Sequence, residues 1–456
     1  MSNLEQVLVN DFKQNFEHIT KNDSEDLTSL RMKAIDNFEK TGFPKHYDEL
    51  WRFSNITEIL QNSGRIIHPF TPPEDINTPV KEIFSCDVNE LDTFDLATIN
   101  GWYPFSLPQF QRLNGNIIIG SLSQAFILYP ELINEHFGKY SAIDNSFNAL
   151  NTAFTNDGIF AVFPENSSPE KPLQIVSLVS QPENSMLQQF VQPRNLIIIG
   201  KNSKVNLVLC DHNLSPEASF SNIVTEVFID ENAEVRITRL QNQNNKSTMV
   251  SDLSVYQKAN SKLITNTITL NGGFTRNNQH IVLAGEKAET SVFGLYLMDR
   301  QQHVDNTTFI DHAFPDTSSN ELFKGILDEQ ASGVFRGRIL VRKNAQKITS
   351  YQKNNALLLT DEARINTMPQ LEIYADDVKC SHGATVGYLG ADELFYLRSR
   401  GICEREARIM LMNSYAKEII DKITIPSLND RITYLVSKRL RGELSHCATC
   451  VLKCRE

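Results

Sequence analysis

The segment Lys379-Cys380-Ser381-His382-Gly383-Ala384-Thr385 sets a thiol and an imidazole two residues apart. In a strand, side chains two apart project from one face, so Cys380 and His382 would stand side by side. A thiolate beside an imidazole is ligand chemistry for iron or zinc, or an activated nucleophile. Two ligands do not close a metal site. Either further groups come from elsewhere, or the pair is a buried cysteine next to a hydrogen-bonded histidine at a strand end. A second grouping, His446, Cys447, Cys450 and Cys454, offers Cys-x-x-Cys, a third cysteine and a histidine. That donor set suits zinc or an iron–sulfur centre, although it sits in a terminal tail, where chains fray. His303 and His312 flank one strand-like run and either converge or decorate a polar solenoid surface.

Other chemistries are missing. The run Gly200–Lys204 comes nearest to a phosphate-binding loop, but the upstream glycine is absent and Asn202 stands where serine or threonine is required. No Gly-x-Ser-x-Gly or His-Glu-x-x-His is present, nor a dinucleotide-type glycine motif in context. An autonomous nucleotide-driven or hydrolytic enzyme is disfavoured, and no nucleotide is expected on this chain.

The elements that must position these residues fall into distinct stretches. Residues 1–113 read as helix and irregular chain, with apolar spacing of helical type at Leu4, Val7, Leu8, Phe12 and Phe16. Trp51, in an acid–Trp–base patch, is placed to anchor these helices on the solenoid. Residues 114–390 carry short runs rich in Ile, Val and Thr bounded by polar turns, which predicts strands. A turn phrase recurs, with a small residue at Ser203, Ala233, Ser261, Ala288, Ala331, Ala345 and Ala363. The spacings are 30, 28, 27, 43, 14 and 18 residues. A period near 28–30 with sub-spacings near half of it signals a coil that passes two similar turns, and hence a parallel β-helix. A two-sheet sandwich is the rival. Residues 391–445 return to helix, a small bundle expected to cap the open end of the solenoid, and residues 446–456 form the cysteine-containing tail.

Composition bounds the function. The 456 residues carry 44 Lys+Arg against 55 Asp+Glu, a net charge of −11, with 41% hydrophobic and 22% charged residues. These are globular proportions and exclude wholesale disorder. The acidic balance and the lack of a basic stripe argue against nucleic-acid binding. The apolar runs are short of the roughly 18–20 residues that cross a bilayer. No signal peptide is read at the start, and the scattered cysteines do not make a secreted framework, so a cytoplasmic protein with no membrane contact is expected.

The runs QQHVDNTTFIDHAFPDTSSNELFKG and ILDEQASGVFRGRILVRKNAQKITSYQKNNALLLTDEARINTMPQLEIYADDVKCSHGATVGYLGADELFYLRSRG, with DELWRFSN near the start, resemble the SufB/SufD family of the SUF iron–sulfur cluster assembly machinery. The resemblance is dense from about residue 300 to 420. It implies a mainly β fold: a right-handed parallel β-helix core, an N-terminal helical region and a C-terminal helical bundle. It implies a non-enzymatic scaffold that pairs with SufB and binds the ATPase SufC; whether the isolated chain forms a homodimer is left open by the sequence. His382 matches the histidine that the family places at a transient cluster shared with SufB, and Cys380 is the thiol beside it. The surplus apolar residues Met410, Met412 and Tyr415 are the expected SufC contacts, since methionine suits adaptable surfaces. A SufB-like paralogue is the close alternative, and a β-helix enzyme acting on polysaccharide is the alternative of a different class.

Overall fold

The computed structural model describes residues 3–62, 65–79, 91–180 and 187–443. The tail grouping of His446, Cys447, Cys450 and Cys454 lies outside the described residues. Two facing sheets wind into a parallel β-solenoid. A nine-strand sheet runs from Phe94–Ile99 through Leu173–Val179 to Val378–Gly387, and a twelve-strand sheet ends on Arg364–Ile373. Strands of successive coils pair in parallel with near-continuous register, for example Glu234 with Lys204 and Lys262.

The turn phrase explains the winding. Ser203, Ala233, Ser261 and Ala288 are wholly buried at the corners. The residues before them, Asn202, Asn232, Asn260 and Lys287, adopt positive φ of 57–60°. A left-handed residue turns the chain sharply, and the side chain that follows is enclosed by the corner, which favours a small residue there. The long spacing of 43 contains two further corners: Arg300 has φ 53° with Gln302 buried after it, and Asp316 has φ 58° with Thr317 buried behind it, dividing the interval into 14, 15 and 14. Inward side chains then stack as one column-filled lumen, with Leu207, Ile237, Val292, Phe323 and Phe335 among its apolar members.

Helix and strand are more interleaved than the composition suggests. Helices Leu122–Leu128, Pro130–His136 and Ser146–Phe154 fall after residue 114, while strand Phe94–Ile99 falls before it. The C-terminal helices Glu404–Ile420 and Pro426–Leu440 do not cap the solenoid end as expected. They cover the outer face of the nine-strand sheet, where Ile268, Leu295 and Ile326 form an apolar row that packs on Ile409, Met412 and Ile432. Lys324 Nζ donates to the Tyr415 carbonyl at 3.0 Å and Arg439 Nε to the Leu270 carbonyl at 2.8 Å, which fixes the helices in place. Among the described residues, the terminal coil is left uncovered.

The N-terminal helices cover the opposite sheet, and Trp51 anchors them. Its ring lies 3.9 Å below the Arg276 guanidinium, which bonds Asp305 Oδ2 at 2.7 Å. Ser54 joins the same buried cluster through His303 Nε2 at 2.9 Å and Asp305 Oδ2 at 2.5 Å. Removing the indole leaves a cavity and uncovers a buried ion pair. Trp51→Ala should cost about 3–5 kcal/mol in denaturant unfolding; a loss under about 1 kcal/mol would deny the anchor.

Candidate functional site

Cys380 and His382 lie on Val378–Gly387, the last strand of its sheet. It pairs on one side with Ile348–Leu358, setting Ser350 beside Cys380 and Gln352 beside His382. In that preceding coil Ser350, Gln352 and Asn354 point into the lumen and are buried. One coil later the same face is the mouth of the solenoid, where Cys380 is half-buried and His382 exposed. The strand geometry expected for the pair is thus present, and the histidine is at the surface rather than satisfied in a core.

Cys380 packs against Ile348, Val341 and Ala375. Burial pushes its thiol pKa up, so in the chain alone the thiol keeps its proton at neutral pH. A bound metal ion or neighbouring cation must ionise it before it serves as a ligand.

Two polar files run through the lumen to this pair. Behind Cys380, the Ser350 and Ser319 hydroxyls are 2.6 Å apart, and Ser319 meets His312 Nε2 at 2.9 Å. Behind His382, Gln352 Nε2 donates to Glu321 Oε1 at 3.0 Å, and Thr308 Oγ1 donates to Glu321 Oε2 at 2.6 Å. Burial pushes the Glu321 carboxyl up to about 7. The sequence reading missed both files. Counting back from His382 by one coil and then another reaches Gln352 and Glu321, so the period itself held the signal.

His303 and His312 do not converge and do not form a polar surface. His303 is held beneath the N-terminal patch by Ser54 and by Ser332 at 2.7 Å, and His312 is inside the lumen with Nδ1 on Thr317 at 2.8 Å. Burial lowers His68 and His303 to about 4 and His312 to about 3. The unfolded imidazoles take up protons near pH 6.5, whereas the folded ones resist, so the unfolded state binds more protons between these values. The stability they contribute is complete above about pH 6.5 and is lost as pH falls toward 4 and 3. Each pH unit by which a group is held below its ordinary value corresponds to about 1.4 kcal/mol. The thermal midpoint should drop between pH 7 and 4.5, and less steeply in His312→Asn; equal slopes would remove His312 from the account.

Among the described residues, no group of three or more His, Cys, Asp or Glu side chains could hold a metal ion. Cys380 and His382 therefore lack a third ligand there. Of the three proposed docking residues on Glu404–Ile420, Met410 is exposed, Met412 is buried against the sheet and Tyr415 is partly buried beside it. Among the described residues, no helix is long and apolar enough to cross a membrane.

The family model for the SUF system FeS cluster assembly SufBD core domain matches residues 180–415, and the SufBD protein N-terminal region matches residues 2–175. The chain belongs to the SufBD family. An iron–sulfur cluster assembly SufBD family protein of Synechocystis is 30% identical over 425 residues, covering 91% of each chain. The iron–sulfur cluster assembly protein SufD of Escherichia coli is 36% identical over 173 residues, 38% of this chain and 41% of that one. The chloroplastic protein ABCI7 of Arabidopsis thaliana is 26% identical over 411 residues, 89% of this chain and 84% of that protein. For a SufBD protein the cluster is cargo, and the sulfur and nitrogen donors at the solenoid mouth are types that iron accepts.

Proposed function

We propose that the chain is a SufD-type scaffold subunit of an iron–sulfur assembly complex. It pairs with a SufB-type partner along the edge of its terminal coil and carries a SufC-type ATPase on its C-terminal helices. It offers His382, with Cys380 beside it, to a cluster formed transiently between the two chains. The observation that carries this reading is the open coil, where a thiol and an imidazole reach the surface from a lumen otherwise closed over them. The pair is half of a ligand set, so a partner that supplies the rest must cover the same edge.

The two terminal strands differ as pairing edges. Arg364–Ile373 carries Pro369, which cannot donate to a further strand, whereas Val378–Gly387 has no proline. Tyr388 and Val386 stand exposed at or beside that second edge. Energy would come from the partner ATPase, consistent with the absent phosphate loop. In the cytoplasm, without its partner, the chain would pair with itself through the same edge.

Met410 is the docking residue we retain, because it faces away from the sheet that Met412 packs on. Met410→Asp should leave the fold intact and reduce ATPase co-purification about tenfold or more, the loss of one well-placed contact being about 1.4 kcal/mol. Unchanged recovery would move the docking face elsewhere. Affinity purification from cells tests the whole reading. Recovery of SufB and SufC types together supports it. Recovery with a SufD-type chain would make this the SufB-like paralogue, and activity on a polysaccharide would assign a different class.

A further inference from the structure

The cysteines near the end of the chain are one ligand short of a closed site. Cys447, Cys450 and Cys454 offer three thiols, and the first two have the Cys-x-x-Cys spacing of thiolate zinc sites. A structural zinc site takes four protein ligands. His446 is a poor fourth, because it is the immediate neighbour of Cys447. Side chains of adjacent residues diverge, to opposite faces in a strand and by about 100° in a helix. A donor from the folded part of the chain is free of that constraint.

The fold sets such a donor where that segment begins. Among the described cysteines, Cys210 is buried, Cys380 half-buried and Cys403 exposed. Cys403 is the N-cap of the helix Glu404–Ile420, and its side chain makes no capping hydrogen bond. Residues 441–443, the last described, lie against the first turn of the same helix. Arg441 bonds both oxygens of the Glu406 carboxylate, at 2.8 and 2.9 Å, and the Arg405 guanidinium donates to the Arg441 carbonyl at 3.5 Å. Cys447 is four residues past Glu443, a length of chain that covers up to about 14 Å when extended. Cys450 and Cys454 have a longer reach still.

The charge around Cys403 suits the same ion. Zinc held by four thiolates is a dianion overall. Arg398 and Arg441 are paired with Glu404 and Glu406, whereas Arg400 and Arg405, on either side of Cys403, have no ion pair among the described residues. The helix N-terminus adds a partial positive charge. We infer that Cys403 closes a zinc site with Cys447, Cys450 and Cys454, tying the end of the chain to the start of Glu404–Ile420. Binding releases the four thiol protons to solvent and changes no oxidation state. Four protein ligands leave no open position, so the ion is resident and not cargo. The site is independent of the Cys380–His382 pair and of the reading built on it.

The full chain, purified under reductant, should carry about one zinc ion by elemental mass spectrometry. With cobalt(II) in its place, the site should show the visible absorption of a tetrahedral ion and an intense sulfur-to-cobalt band. Cys403→Ser should cut that band by about a quarter, as four thiolates become three, and weaken zinc binding about tenfold or more. His446→Ala should change neither, and deleting residues 446–456 should abolish both. Cys403 is exposed, so Cys403→Ser should keep the circular dichroism spectrum of the unaltered chain. An unchanged cobalt band in Cys403→Ser would overturn that residue's part, and a band shifted by His446→Ala would hand the fourth position to the imidazole. Iron and sulfide in place of zinc would overturn the choice of metal. A chain with neither bound zinc nor a tetrahedral cobalt spectrum would overturn the site.

Discussion

Replacing His382 by alanine should leave a folded, partner-competent protein whose cells mature iron–sulfur enzymes at least about tenfold less well. The side chain is exposed and makes no contact that the solenoid depends on, and surface substitutions of that kind usually stay within about 0.5 kcal/mol. The expected defect is large because the imidazole is the one nitrogen donor of the pair at the mouth. Losing an outer partner of a ligand already costs about 10–100-fold, and losing the ligand costs no less. Cys380→Ser separates two roles for the thiol. An equal defect makes it a ligand, and a weaker one makes it a neighbour. Removing residues 446–456 is the control, since a tail that is ancillary can be lost without effect. Normal maturation with His382→Ala would return the Cys380–His382 segment to a strand end of no special chemistry.

Range decides how much of the molecule was legible in the sequence. The corners were readable because each is local: a residue able to take positive φ, then a side chain, usually small, that the corner encloses. Thr317 escaped because its side chain is larger than alanine or serine, although the corner buries it just the same. The strand placement of Cys380 and His382 was readable from alternation alone. The location of the C-terminal helices was not, because it depends on an apolar row assembled from three separate strands, at Ile268, Leu295 and Ile326. Met412 and Tyr415 were offered as docking surface for the same reason: an excess of apolar residues on a helix does not say which sheet will cover them. The file from Thr308 through Glu321 to Gln352 joins two sheets and three coils. Glu321 looks in the sequence like any solvated acid of a turn-rich protein, and only the register turns it inward.

The second large effect concerns the edge itself. Val386 is on the inward-facing side of Val378–Gly387, in register with the buried Ala356, and is 44% exposed because no further coil among the described residues covers it. In the unpaired monomer an aspartate at 386 stays hydrated and should cost little. Once a partner closes the mouth, that carboxylate is taken out of water with no cation built to meet it, a penalty of about 3 kcal/mol or more. Such a penalty weakens association about a hundredfold. Asn202→Asp supplies the contrast. It adds the same charge to an exposed corner of an early coil, at a left-handed position that aspartate tolerates, and no strand edge opens there. Co-elution of the chain with its SufB-type partner should therefore be lost with Val386→Asp and kept with Asn202→Asp, while both proteins keep the circular dichroism spectrum of the unaltered chain. If the two variants bound alike, the terminal coil would not be the pairing edge, and the thiol and imidazole at its mouth would have to find the rest of their ligands elsewhere.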